Sequence, residues 1–202
     1  MNLAGCFTLS TTPENKVWYR AIQPQHWPSA LQTSHSTVIP SRYSPATSNH
    51  PAFPVLYLSE DQQVALFEVE ALLGSPLQGH KYTPYPRQAW IALNVQVSLQ
   101  AVADLTIVSE QLKILSTAQE LTGDWDCYRL RSSHSSVNQP TGLSPTQLLG
   151  QALHAVPGLE AFRTISAKIP THMNLVVFPD KLHPQSSIVF KDRGTGKTHT
   201  IP

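Results

Sequence analysis

The chain has 202 residues, enough for one domain with a real core, and 41% of them are hydrophobic. A formal charge of +1, with only 13% charged residues and no basic block, argues against nucleic acid as a ligand bound directly by this chain. No apolar run approaches membrane-spanning length, the start lacks the basic region of a signal peptide, and Cys6 and Cys127 have no CxxC spacing. The nine histidines show neither HxH nor HExxH spacing, so no metal site is expected and the chain reads as soluble and cytoplasmic.

Residues 1–15 read as a loose tail, and 17–22 (VWYRAI) as a first strand. From 23 to 54 the chain is rich in Pro, Ser, Thr and His; a loop this long inside a domain is functional or disordered. Residues 55–58 (VLYL) form a short apolar strand, followed by cap residues and a helix expected over 60–73. At helical spacing Glu68 falls in the apolar stripe, four after Val64 and three after Ala65, while Glu70 points to the polar side. A second loop covers 75–88. Ile91, Leu93, Val95, Val97 and Leu99 alternate with smaller or polar residues, the pattern of a central strand with one core face. Residues 109–121 read as a helix stopped by Thr122-Gly123. A better-marked helix follows, with Ser144 as cap, Pro145 in the first turn, Gln147 completing a capping box and Pro157-Gly158 as the stop. Strands are expected over 162–167 and 174–178, and the residues after 182 add an edge strand and a polar tail. Strands and helices are interspersed without a regular βαβ beat, so the fold class is α+β.

Two motifs are discounted. RGTGKT near the end lacks the first glycine of a phosphate loop, since Lys191 stands in its place, and no helix follows. Ser144 and Ser166 lack the G-x-S-x-G elbow of a hydrolase. Arg20, Arg42-Tyr43, Tyr57 and Ser166 each flank or interrupt an apolar run, and singly each has an ordinary structural explanation. Glu68 does not, because a carboxylate on a buried helix face needs a partner or a function.

Taken in order, these residues resemble the RES domain, a family named for its Arg, Glu and Ser. The matching stretches are VWYRA with Arg20, SRYSP with Arg42-Tyr43, VLYLSEDQQVALFEVEALL with Tyr57 and Glu68, SPTQLLGQAL, and RTISAKIPTHMNLVVFP with Ser166 and Asn174. They place the domain at 16–182, between an N-terminal tail and the C-terminal residues 183–202. Where the family has glycine before the loop Arg and asparagine after its aromatic neighbour, Pro40-Ser41 and Ser44 stand here.

The resemblance implies an ADP-ribosyltransferase-like mixed, split β-sheet with flanking helices and a cleft for NAD. It implies a toxin of a bacterial toxin–antitoxin pair that breaks the nicotinamide–ribose bond, passing ADP-ribose to water, phosphate or a protein. The implied partner is an Xre-type helix-turn-helix antitoxin covering the cleft. Glu68 and Arg20 are then the expected catalytic residues, with Arg42, Tyr43, Tyr57, Ser166 and Asn174 on the substrate. Two expectations compete with it: a degenerate RES fold that only binds a partner or a nucleotide, and a structural role in which Glu68 pairs with Arg20 or Arg42 to brace the core.

Overall fold

The alternation of the central strand is realised in β5 (Ile91–Asp104), where Leu93, Val95, Val97 and Leu99 are buried while Asn94 and Gln96 are exposed. The computed structural model describes residues 1–46, 52–73, 83–84, 89–125 and 142–201. β5 lies antiparallel to β1 (Thr11–Ile22) along nearly all of its length. Its other edge is divided between β8 (Ser187–Lys191), antiparallel over 95–98, and β6 (Ala161–Ile165), parallel over 102–104. β6 pairs with β7 (Met173–Val177), β7 with β2 (Leu56–Ser59), and β2 returns to β1 at Tyr19 and Ser59. The strands therefore form a closed ring, with β8 and β9 (Thr198–Ile201) appended as a hairpin. β3 (Leu72–Leu73) and β4 (Thr83–Pro84) make a separate two-stranded pair.

Period-two alternation sends the two faces of these strands into two cores. Trp18, Leu56, Leu58, Val95, Val97, Leu175 and Val177 share the first. The second joins Tyr43, Phe53, Phe162, Val176 and Phe178 to α3 (Ala118–Thr122) and α4 (Pro145–Ala155) through Leu121, Leu149 and Leu153. At the start of α4 the capping box is present as expected: Ser144 Oγ accepts from Gln147 N–H, and Gln147 Oε1 accepts from Ser144 N–H.

Four expectations need correction. The helix over 60–73 is shorter: α1 (Gln62–Glu68) ends in a Schellman turn, with Glu70 N–H bonded to Phe67 O, Ala71 N–H to Leu66 O, and Glu70 at φ 57°. The helix over 109–121 is broken by the same device into α2 (Val108–Lys113) and α3, with Leu115 at φ 47°. Residues 1–15 are not loose: Leu3–Thr8 is a 3-10 helix with Cys6 buried, and β1 already begins at Thr11. The C-terminal polar residues form the β8–β9 hairpin, and RGTGKT is its turn. There the Asp192 carboxylate accepts from Gly194 N–H, Thr195 Oγ1 and Trp27 Nε1, bonds that hold its carboxyl down at about 2. Cys127 and the loop over 75–88, apart from Thr83–Pro84, lie outside the described residues. Among the described residues no helix is long and apolar enough to cross a membrane.

Candidate functional site

Because β2 and β7 bury Leu56, Leu58, Leu175 and Val177 in the first core, the intervening residues Tyr57, Ser59, Asn174 and Val176 face the other way. They line a cleft of about 600 Å³ whose walls are completed by Glu68 and Val69 at the end of α1, by Arg42 and Tyr43, and by Asp124 and Trp125 after α3. Glu68 is half-buried. Its Oε1 accepts from Ser166 Oγ at 2.5 Å and from Asn174 Nδ2 at 2.8 Å. Among the described residues no Arg or Lys forms an ion pair with it. A carboxylate held by neutral donors, in no ion pair among the described residues and open to a cleft, can meet positive charge that arrives with a ligand.

The expected site residues do not all stand in one place. Glu68, Tyr57, Arg42, Tyr43 and Asn174 line the cleft together. Ser166 does not: it is fully buried beneath Glu68, donating to it and accepting from Ile169 N–H at 3.0 Å. Arg20 approaches from the far side. It shares a smaller hollow of about 180 Å³ with Tyr57, Ser59 and Glu68, and also lines a cavity of about 560 Å³ with His26, His35 and Trp90. Its Nη2 donates to Gln32 O at 3.2 Å, while the buried Nη1 has no acceptor among the described residues. Burial lowers its pKa to about 10.

Tyr57 and Tyr43 are tied to one another. The Tyr57 hydroxyl accepts from Tyr43 N–H at 3.0 Å and lies 2.8 Å from Ser41 Oγ, so its ring, stacked on Tyr43, is what faces the cleft. Burial pushes the Tyr57 phenol up to about 12 and raises that of Tyr43, whose hydroxyl is 2.9 Å from Thr164 Oγ1. Arg42 is held by carbonyls, its Nη1 donating to Gly123 O at 2.6 Å and Leu121 O at 3.3 Å, and so caps the C-terminus of α3. Ser59, Thr164, Trp125 and the Lys168–Glu70 pair, 2.7 Å apart at the wall of the cleft, are not among the residues expected from the sequence. For Ser59 a signal existed, since it lies two residues from Tyr57 on the same strand face.

Fold and site together define a mixed α/β protein with a closed strand ring and a cleft built on a carboxylate held by neutral donors. The family model for the RES domain matches residues 17–194, and the chain belongs to that family. The matched residues take in β8 as well as the motif-bearing strands. Its fold is similar to that of a chain in the crystal structure of the M. tuberculosis MbcT–MbcA toxin–antitoxin complex. The likeness has a TM-score of 0.63 at 19% identity and covers 91% of this chain and 86% of that one. None of the curated proteins matches the chain.

Proposed function

We propose that the chain is the toxin of a toxin–antitoxin pair and that it degrades NAD by cleaving the nicotinamide–ribose bond, with water or phosphate receiving ADP-ribose. The single observation carrying this reading is Glu68: a half-buried carboxylate, hydrogen-bonded at one oxygen by neutral donors and in no ion pair among the described residues, in a cleft of about 600 Å³. Membership of the RES family and the fold shared with a toxin–antitoxin complex support the biological role.

The chemistry suits these groups. Nicotinamide in NAD is a pyridinium and leaves as a neutral molecule, so its departure needs no general acid. Positive charge develops on the ribose, and Glu68 stabilises that oxocarbenium-like centre and accepts from a ribose hydroxyl. The Tyr57 ring walls the nicotinamide, and Arg20, whose Nη1 has no acceptor among the described residues, offers its guanidinium to a phosphate. In this reading the sheet is of the ADP-ribosyltransferase type, and an Xre-type helix-turn-helix antitoxin covers the cleft.

Incubation of the purified protein with NAD, with and without phosphate, tests the activity by release of nicotinamide. In cells, expression of this chain alone is expected to lower NAD and slow growth, with both restored by the antitoxin. Unchanged NAD in cells containing soluble protein, together with no nicotinamide release in vitro, rejects the proposal.

A further inference from the structure

We infer that Ser59 is a positioning residue, which through Asn174 fixes the oxygen of Glu68 that is presented to the cleft. The inference rests on the reading of Glu68 given above. Ser59 and Asn174 are directly opposite on β2 and β7, so their side chains share a face. A primary amide presents similar shapes at its oxygen and nitrogen ends, and something must distinguish them. Glu68 sets the sense, since its carboxylate only accepts and takes Nδ2 at 2.8 Å; Ser59 Oγ then donates to Asn174 Oδ1 at 2.7 Å and anchors the amide in that orientation. The opposite orientation would set an amide oxygen against a carboxylate oxygen.

On the other side of Glu68, Ser166 Oγ accepts from Ile169 N–H and gives its single proton to the same Oε1. Both donors thus converge on one oxygen, and Oε2 is left for the cleft. Ser59 is 5% exposed, so water does not readily replace its hydroxyl. Without it, Asn174 Oδ1 loses its donor, the amide is free to swing, and Glu68 loses a fixed donor. Contacts that bind substrate elsewhere in the cleft are untouched, so the loss falls on the reacting geometry rather than on binding.

The test combines kinetics with a readout independent of turnover. In protein carrying 13C-carboxyl glutamate, the Glu68 resonance is identified by its absence in Glu68→Gln. Ser59→Ala is expected to move that resonance and to lower kcat for nicotinamide release roughly tenfold, the worth of one hydrogen bond to a charged group. KM should stay within about twofold. Ser59→Thr, which keeps the hydroxyl, should restore both the resonance and kcat. If Ser59→Ala does not fold, Asn174→Leu removes the same donor and is expected to give the same pair of changes. An unmoved Glu68 resonance overturns the inference whether or not NAD is cleaved, and so does an unchanged kcat in an active enzyme. A resonance that moves in Ser59→Ala while the wild-type protein releases no nicotinamide upholds the positioning and rejects the NAD reading instead.

Discussion

At Glu68 two roles compete, bracing the core or serving the cleft, and Glu68→Gln separates them. A carboxylate paired with a buried arginine would leave that arginine uncompensated when neutralised, at a cost of about 3 kcal/mol. Here the partners are Ser166 and Asn174, both neutral, so stability should change by no more than about 1 kcal/mol. Nicotinamide release should fall roughly 100- to 1,000-fold, as when a group that stabilises transition-state charge is lost. Melting and turnover of this one variant show which role holds. Tyr57 gives a second prediction. Its folded phenol is raised from 10.0 to about 12 by burial. Between those values the unfolded state has released a proton that the folded state keeps, so stability falls as pH rises through that window. Tyr57→Phe removes this alkaline dependence, read by melting between pH 9 and about 12, and leaves Tyr43 N–H without its acceptor.

Helix α4 meets the arginine–tyrosine segment of the cleft at a place that only glycine fits. A Cβ on Gly150 would lie 1.9 Å from the Tyr43 carbonyl oxygen, which is backbone and cannot swing aside. Gly150→Ala should therefore push the 41–44 segment outward, costing on the order of 3 kcal/mol and reducing NAD cleavage even though residue 150 touches no substrate. Urea unfolding measures the first effect and nicotinamide release the second. The sequence revealed this element clearly, because Ser144, Pro145 and Gln147 mark its start in local chemistry. β5 was equally legible from its alternation. The ends of α1 and α2 were not. Both close in turns that place Glu70 and Leu115 at positive φ, where a reader looks for glycine, and backbone hydrogen bonds rather than residue type close them. The site was legible as a set of residues and not as an arrangement. Spacing put Glu68 on the wrong face for solvent, but only the pairing of β2, β6 and β7 shows Ser166 beneath it and Ser59 beside Asn174.

Across the molecule, β5 is the strand on which the others depend, pairing with β1 on one edge and with β8 and β6 on the other. Truncation after Leu182 would bare its edge over 95–98 and uncover Ile188 and Phe190 contacts in the first core. Such a chain is expected to associate, which light scattering at increasing concentration detects; a truncated chain that stays monomeric and melts like the parent would contradict this account of β5. The ring also imposes an order in time. Glu68 is separated from Ser166 by 98 residues and from Asn174 by 106. At ribosomal speeds of about 5–20 residues per second, the carboxylate leaves the exit channel roughly 5–20 s before the groups that orient it. The nascent chain therefore carries its acid without the groups that orient it for about half of its synthesis.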